Sequence, residues 1–405
     1  MKSFIFTGFS PNTRAEDAWL AFKLLLTLPK QLFLHNATRK LEQWFREYFS
    51  CSYAIAFDSG RSALQKALEV NDIGHNDEVI LQAFTCIVVA NAVTNLGATP
   101  IYADCTDTYT LNPADVKKKI TQKTKAIIIQ HTFGIPAQLE ELLAIARERK
   151  LLVIEDCAHS LGNVHQGKLL GTFGDLAMFS FGTDKVISGV RGGMIITNNK
   201  KCGDLLQKIR DDLPQLSILV QLQHLLHPIF FFIGKNIYHL FIGKVILFLG
   251  QKFRIVNRII YSAEKEGRVP VWFPAQMPNV LATLAFNQIK NLDAWNMARQ
   301  KNSAFYAKQL LNKIGVQIND NQGAWLRFPL EVTNPIQLKH KALKSRIILG
   351  DWYSSPVAPI DSSSESAKYM AGSCPNAERI SKHIINLPTD QFLSEEDLQR
   401  VTALF

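Results

Sequence analysis

An α/β fold around a mainly parallel sheet is the class this sequence predicts, and two observations predict it. First, seven short β-rich runs recur between Tyr53 and Thr197, several of them apolar throughout. Such runs suit strands buried on both faces. Second, helical patterns such as RSALQKALEV and AQLEELLAIARERK lie between the earlier runs. That alternation argues for βα units and a parallel sheet. In order, the predicted strands are YAIAF (53–57), EVILQ (78–82), PIYA (100–103), AIIIQ (126–130), LLVIE (151–155), AMFSF (177–181) and GMIIT (193–197). A site in such a fold gathers at the carboxyl ends of its strands.

The 405 residues exceed the size at which one core stops growing, so more than one domain is expected. The expected division is a large α/β domain over 15–204, an apolar helical insertion over 205–270, and a helix linker with a small C-terminal α/β domain over 271–405. Within the insertion, PIFFFIGKNIYHLFIGKVILFLG (228–250) is interrupted by Lys235, His239 and Lys244. Two readings stand for it. One is a buried helix pair or subunit interface. The other is a monotopic membrane patch whose lysines reach the headgroups. Residues 280–311 read as one long amphipathic helical stretch.

The net charge of +10 favours an anionic partner, whether a phosphorylated small molecule, a membrane surface or nucleic acid. No zinc-finger spacing and no RNP-type aromatic motif supports the nucleic-acid option. The six cysteines are scattered without a CxxC pair, which argues against a metal site or a disulfide framework. The opening MKSFIFTGFSPNTR holds too short an apolar run for a secretory h-region, so a cytoplasmic protein is expected, with peripheral contact at the inner membrane face if 228–250 docks there.

Three short stretches carry chemistry. Asp156 follows LLVIE, at a strand end where an acid either caps a helix or meets a cationic heterocycle. Lys185 follows AMFSF by four residues. An isolated lysine there is usually a solvated loop residue. Near apolar neighbours its amine is more readily neutral and can attack an aldehyde. In FDSGRSALQKAL, Ser59 and Gly60 lead into a helix whose first amides suit a phosphate, with Arg61 as a cationic fork. Alone, that stretch is an ordinary turn and cap. Together with the Ser180 hydroxyl, these residues match what pyridoxal phosphate requires: an amine, an acid for the ring nitrogen and a phosphate cradle.

The same pieces, with QHTFGIP (130–136), IEDCAHSLG (154–162), GTFGDLAMFSFGTDK (171–185), RGGMIIT (191–197), MPNVLATLAFNQIKNLD (277–293) and SCPNAERISKHIINLPT (373–389), resemble the DegT/DnrJ/StrS sugar aminotransferases. The resemblance covers most of 35–405 and leaves about 205–270 unmatched. It implies fold type I, with a seven-stranded, mainly parallel sheet. It implies a homodimer that moves an amino group, usually from glutamate, onto a keto group of a nucleotide-linked sugar. Lys185 would form the Schiff base and shuttle the proton. Asp156 would hold the ring nitrogen protonated, and His159 would lie close to the cofactor. Ser180, Gly60 and Arg61 would grip its phosphate.

The chain departs from the pattern at four places. Cys86 stands where the family usually has an aromatic residue over the ring. GVRGG (189–193) replaces GEGG, so Arg191 stands in place of an acid. Pro274, Ala275 and Gln276 replace Asn-Tyr-Arg, whose Asn reaches the partner subunit's phosphate, a loss that Arg61 would offset. The apolar insertion is the fourth. A sugar-dehydrating relative typically has histidine in place of the lysine, which Lys185 argues against. A non-catalytic, regulatory relative that keeps the fold is the other alternative.

Overall fold

The computed structural model describes residues 3–8, 10–32, 34, 36–314 and 323–405. Seven strands form the central sheet: β1 (Tyr53–Phe57), β2 (Glu78–Gln82), β3 (Thr99–Ala103), β4 (Thr124–Gln130), β5 (Leu152–Asp156), β6 (Leu176–Ser180) and β7 (Gly193–Thr197). Their order is β1-β7-β6-β5-β4-β2-β3. Only β7 runs antiparallel to its neighbours. Three of the predicted runs coincide with their strands, and the others shift by one or two residues.

Successive side chains in a strand face opposite ways, and here both faces are covered. On one face Ile55, Phe57, Val79, Ala126, Ile128 and Met178 pack on helices α3 (Gly60–Glu69) and α4 (Ile87–Thr94). On the other, Ala54, Ala56, Ile80, Ile127, Ile129 and Phe179 meet α1 (Ala15–Gln31) and α2 (Asn36–Phe49). The result is a three-layer sandwich, which is why AIIIQ is apolar without alternation.

The 205–270 segment contains α5 (Ile218–Asn236) and α6 (Ile242–Lys252). They form a tight hairpin: a Cβ on Gly243 would lie 2.3 Å from the Gly234 carbonyl oxygen. Helix α5 packs along α1 and buries Gln221, His224, Leu225, His227 and Phe231. It is the one helix among the described residues long and apolar enough to cross a membrane, yet 39% of it is buried inside the protein.

The expected single helix over 280–311 is two, α7 (Asn279–Ile289) and α8 (Leu292–Ile314). The chain turns at Lys290 and Asn291, where the Asn291 amide closes back on the Gln288 carbonyl. Asn competes for such local backbone bonds and weakens helix interiors. Beyond α8, Phe328–Glu331 pairs antiparallel with Ile384–Leu387. Ile5–Phe6 pairs with Ile347–Ile348, tying the first residues to the C-terminal region. Residues 315–322 of the expected small domain lie outside the described residues.

Candidate cofactor site

Parallel β5 and β6 end side by side, with Met178 opposite Asp156. Asp156 is therefore the last residue of β5 and Ser180 the last of β6, both at carboxyl ends. After Ser180 the chain loops through Lys185 and returns as β7. Gly193, the first residue of β7, lies against the start of α3; a Cβ there would sit 2.5 Å from the Gly60 amide nitrogen. Gly60 is likewise hemmed in: a Cβ would meet Ser180 Cβ at 3.0 Å and Ser180 Oγ at 3.2 Å. These two glycines let the α3 N-terminus, with Ser59 as its cap, sit directly beside the Ser180 hydroxyl. The Gly60 and Arg61 amides, in the first turn, have no intrahelical acceptor.

These elements line one cleft of about 790 Å³, counting its open mouth. Ser59, Gly60, Asp156, His159, Ser180 and Lys185 all line it, so distant sequence pieces converge. Asp156 is buried and accepts the Ala158 amide at 3.0 Å. Burial pushes its carboxyl up, against the opposing pull of the Ala158 amide, Lys185 and His131. A buried carboxylate with so little compensation favours a cation placed against it.

Lys185 Nζ lies 2.9 Å from His159 Nε2. Burial holds His159 far below the ordinary imidazole range, with Lys185 and Arg327 adding to the effect, so the ring is neutral. Its Nδ1 accepts the Phe133 amide at 3.2 Å. The ring proton then belongs on Nε2, the atom that faces Lys185 Nζ.

Cys86 also lines the cleft, buried, with its thiol pushed up by burial. Phe84 does not line it; its ring packs on Phe133 and Tyr353. The aromatic surface comes instead from Trp352 and Tyr353. The Lys185 ammonium position lies 5.6 Å from the Trp352 ring centre, and Tyr353 stacks near His159 with centroids 6.3 Å apart. Sequence reasoning missed this pair, which lies in DWYSSP (351–356), far from every strand-end motif. An aromatic pair before a Ser/Pro turn was the only local signal.

Arg61 requires a correction. Its side chain does not reach free into the cleft but pairs with Glu264 and donates to the Ile259 carbonyl at 2.7 Å. A largely buried guanidinium needs an anion, and Glu264 provides one. Arg61 lines the cleft with its guanidinium already engaged by Glu264 and Ile259.

His131, Glu155 and Cys157 bring three possible metal ligands together. Their donors are already committed: Glu155 accepts the Gly171, Phe173 and Gly174 amides, and His131 Nδ1 accepts the Ala137 amide. The cluster anchors the loop after β5.

A protein-family model, the DegT/DnrJ/EryC1/StrS aminotransferase family, matches residues 27–213 and 258–405. GDP-perosamine synthase of Escherichia coli O157:H7 is 41% identical over 170 residues, 42% of this chain and 47% of that relative. The match thus spans about half the relative's length. A UDP-N-acetyl-3-dehydro-alpha-D-glucosamine 3-aminotransferase of Acidithiobacillus ferrooxidans is 28% identical over 97% of this chain and 95% of its own. Among solved structures, DesV of S. venezuelae, in complex with a ketimine intermediate, superposes with a TM-score of 0.73 at 24% identity, covering 96% of this chain and 93% of that one. That likeness establishes the fold. The unmatched stretch between the two family segments is the one that carries α5 and α6. This chain belongs to the DegT/DnrJ/EryC1/StrS aminotransferase family.

Proposed function

We propose that the chain is a pyridoxal phosphate-dependent aminotransferase that moves an amino group from glutamate onto a keto group of a nucleotide-linked sugar, acting as a homodimer in the synthesis of cell-surface polysaccharide or a related glycan. The observation that carries the proposal is the Lys185 amine held 2.9 Å from a neutral His159 in the cleft that Asp156 lines. The residues present fit the cofactor. The α3 N-terminus and Ser180 form a cradle that a Cβ at Gly60 would fill. The buried Asp156 wants a cation, which a protonated ring nitrogen supplies.

When bound, pyridoxal phosphate contributes an aldehyde for amine exchange and a ring that takes up electrons as a C–H bond breaks. The chain's own groups do the rest. Asp156 would hold the ring nitrogen protonated. Lys185 Nζ would take up the proton released from the C–H bond and return it, with His159 Nε2 beside it to position the side chain. Trp352 and Tyr353 wall the cleft and limit water. The named relatives act on nucleotide-linked sugars or their derivatives, which supports the same substrate class here. Adding glutamate to the yellow protein should bleach the visible band, and a nucleotide-linked keto sugar should restore it. Colour with no response to any amino donor would favour the regulatory reading instead.

The localisation we propose is cytoplasmic, at an anionic membrane face. From 213 to 263 the chain has five Lys or Arg and no Asp or Glu. Around the α5–α6 turn, Leu240, Phe241, Ile242, Phe248 and Phe253 are exposed, Phe241 at 69%. Exposed apolar side chains on a segment with basic residues and no acid suit a negatively charged lipid surface. In a flotation assay the protein should rise with vesicles containing phosphatidylglycerol and stay below with neutral vesicles. Recovery in the soluble fraction with both would refute the docking.

A further inference from the structure

We propose that Arg191 is the side-chain cation for a phosphoryl group seated at the N-terminus of α3. The inference rests on the reading of the cleft as a cofactor site and assigns the residue that neutralises its anion.

Arg191 is only 4% exposed, and its Nε and Nη1 have no hydrogen-bond partner among the described residues. Its one ionic contact, Nη2 to Asp58 Oδ2, is 3.4 Å, long for a charge-assisted bond, which is typically ~2.7–2.9 Å. A guanidinium buried with so little compensation is costly unless an anion joins it.

Its position says where that anion sits. Arg191 lines the same cleft as Ser59, Gly60 and Ser180. Asp58, its ionic neighbour, immediately precedes the Ser59 cap of α3. The Phe273 ring covers the guanidinium at 4.2 Å from its centroid, with Tyr261 at 5.6 Å. Stacking takes the face of the cation and leaves its N–H edge for an anion. Free backbone amides, the Ser180 hydroxyl and a cationic edge together make a phosphate cradle.

Of the other cations that line the cleft, Arg61 pairs with Glu264, Lys185 faces His159, and Arg258 donates to the Gln251 carbonyl at 3.1 Å; nearby, Arg327 pairs with Asp184 at 2.9 Å.

The backbone is built to hold Arg191 there. Val190 adopts φ 68°, a left-handed conformation that a β-branched residue rarely takes. The Val190 amide donates to Ser188 Oγ at 3.0 Å, and its carbonyl accepts from Asn257 Nδ2 at 3.4 Å. Strain held by surrounding contacts next to a binding cleft points to use. The departure from the family's GEGG lies beside another: Phe273, which packs on Arg191, immediately precedes the Pro274-Ala275-Gln276 stretch.

The phosphoryl group could belong to the cofactor or to the substrate's diphosphate, and the test separates them. Apoprotein is titrated with pyridoxal phosphate and with pyridoxal, and the loaded protein with UDP, GDP and dTDP. Wild type, Arg191→Gln and Arg191→Lys are compared by absorbance and calorimetry. For a cofactor phosphate, Arg191→Gln should weaken pyridoxal phosphate at least about tenfold and leave pyridoxal unchanged. Arg191→Lys should restore part of the loss; it also serves if the Gln variant fails to fold, since a smaller ammonium should itself narrow the gap between pyridoxal phosphate and pyridoxal. Unchanged cofactor affinity with weakened diphosphate binding would assign Arg191 to the substrate. Equal losses for phosphorylated and unphosphorylated ligands, or no loss at all, would overturn the proposal and leave Arg191 a structural partner of Asp58. If wild type bound neither pyridoxal compound, the cofactor reading itself would fall.

Discussion

Asp156 and Lys185 were legible as residues because each stands just past an apolar run, and strand ends are where this architecture builds its sites. Ser180 and Gly60 were legible for the same reason. The role of each arginine was not. Which of Arg61 and Arg191 keeps N–H groups free for a ligand depends on Glu264, which lies 203 residues beyond Arg61 and captures its guanidinium. No local pattern encodes that pairing. Trp352 and Tyr353 were hidden for a similar reason: a loop brings them over Lys185 from the other end of the chain. Asp156→Asn removes the carboxylate charge from the cleft. The neutral amide no longer favours a protonated ring nitrogen, so turnover should fall by ~10²-fold or more while the protein still colours. Stopped-flow bleaching by glutamate measures it. Unchanged turnover would show that Asp156 does not face the ring nitrogen.

At the scale of elements, the contact between α3 and the end of β6 is the feature the site depends on. The strand pattern foretold all seven strands of the sheet, because burial on both faces leaves a strong apolar signature. It could not foretell how near α3 approaches β6, which the absent Cβ at Gly60 sets. Gly60→Ala would press on Ser180 Cβ at 3.0 Å and Met178 Sδ at 3.0 Å. Overpacking of this kind costs about 1–3 kcal/mol. The urea midpoint should fall accordingly, and pyridoxal phosphate affinity should fall with it as the cradle narrows. A variant with wild-type affinity would place the phosphate elsewhere. The split of the 280–311 stretch into α7 and α8 was missed for a related reason. The turn rests on a local backbone bond, the Asn291 amide to the Gln288 carbonyl, which leaves no periodic trace in the sequence.

For the whole molecule, titratable rings are buried both in the cofactor cleft and where the apolar insertion packs on α1. His159, His224 and His227 are all buried, and burial holds each imidazole below its ordinary value, His227 down to about 3. A ring kept neutral in the fold but free to protonate in the unfolded chain removes stability as pH falls below 6.5. Asp156 and Asp390, whose carboxyls burial raises, act with the opposite sign, because the fold then takes up protons before the unfolded chain does. A single substitution isolates one ring. Between pH 6.5 and 5 wild type should lose about 2 kcal/mol more than His227→Gln. Urea titrations at the two pH values measure the difference, and parallel pH profiles would mean that His227 protonates inside the fold.

The central claim is that the Lys185 amine carries the cofactor. Borohydride reduction of the pyridoxal phosphate-loaded protein, followed by peptide mass mapping, tests it most directly. One phosphopyridoxyl label is expected, on the peptide that contains Lys185, and none in Lys185→Ala. A label on another lysine, or a loaded protein that takes no label, would contradict it.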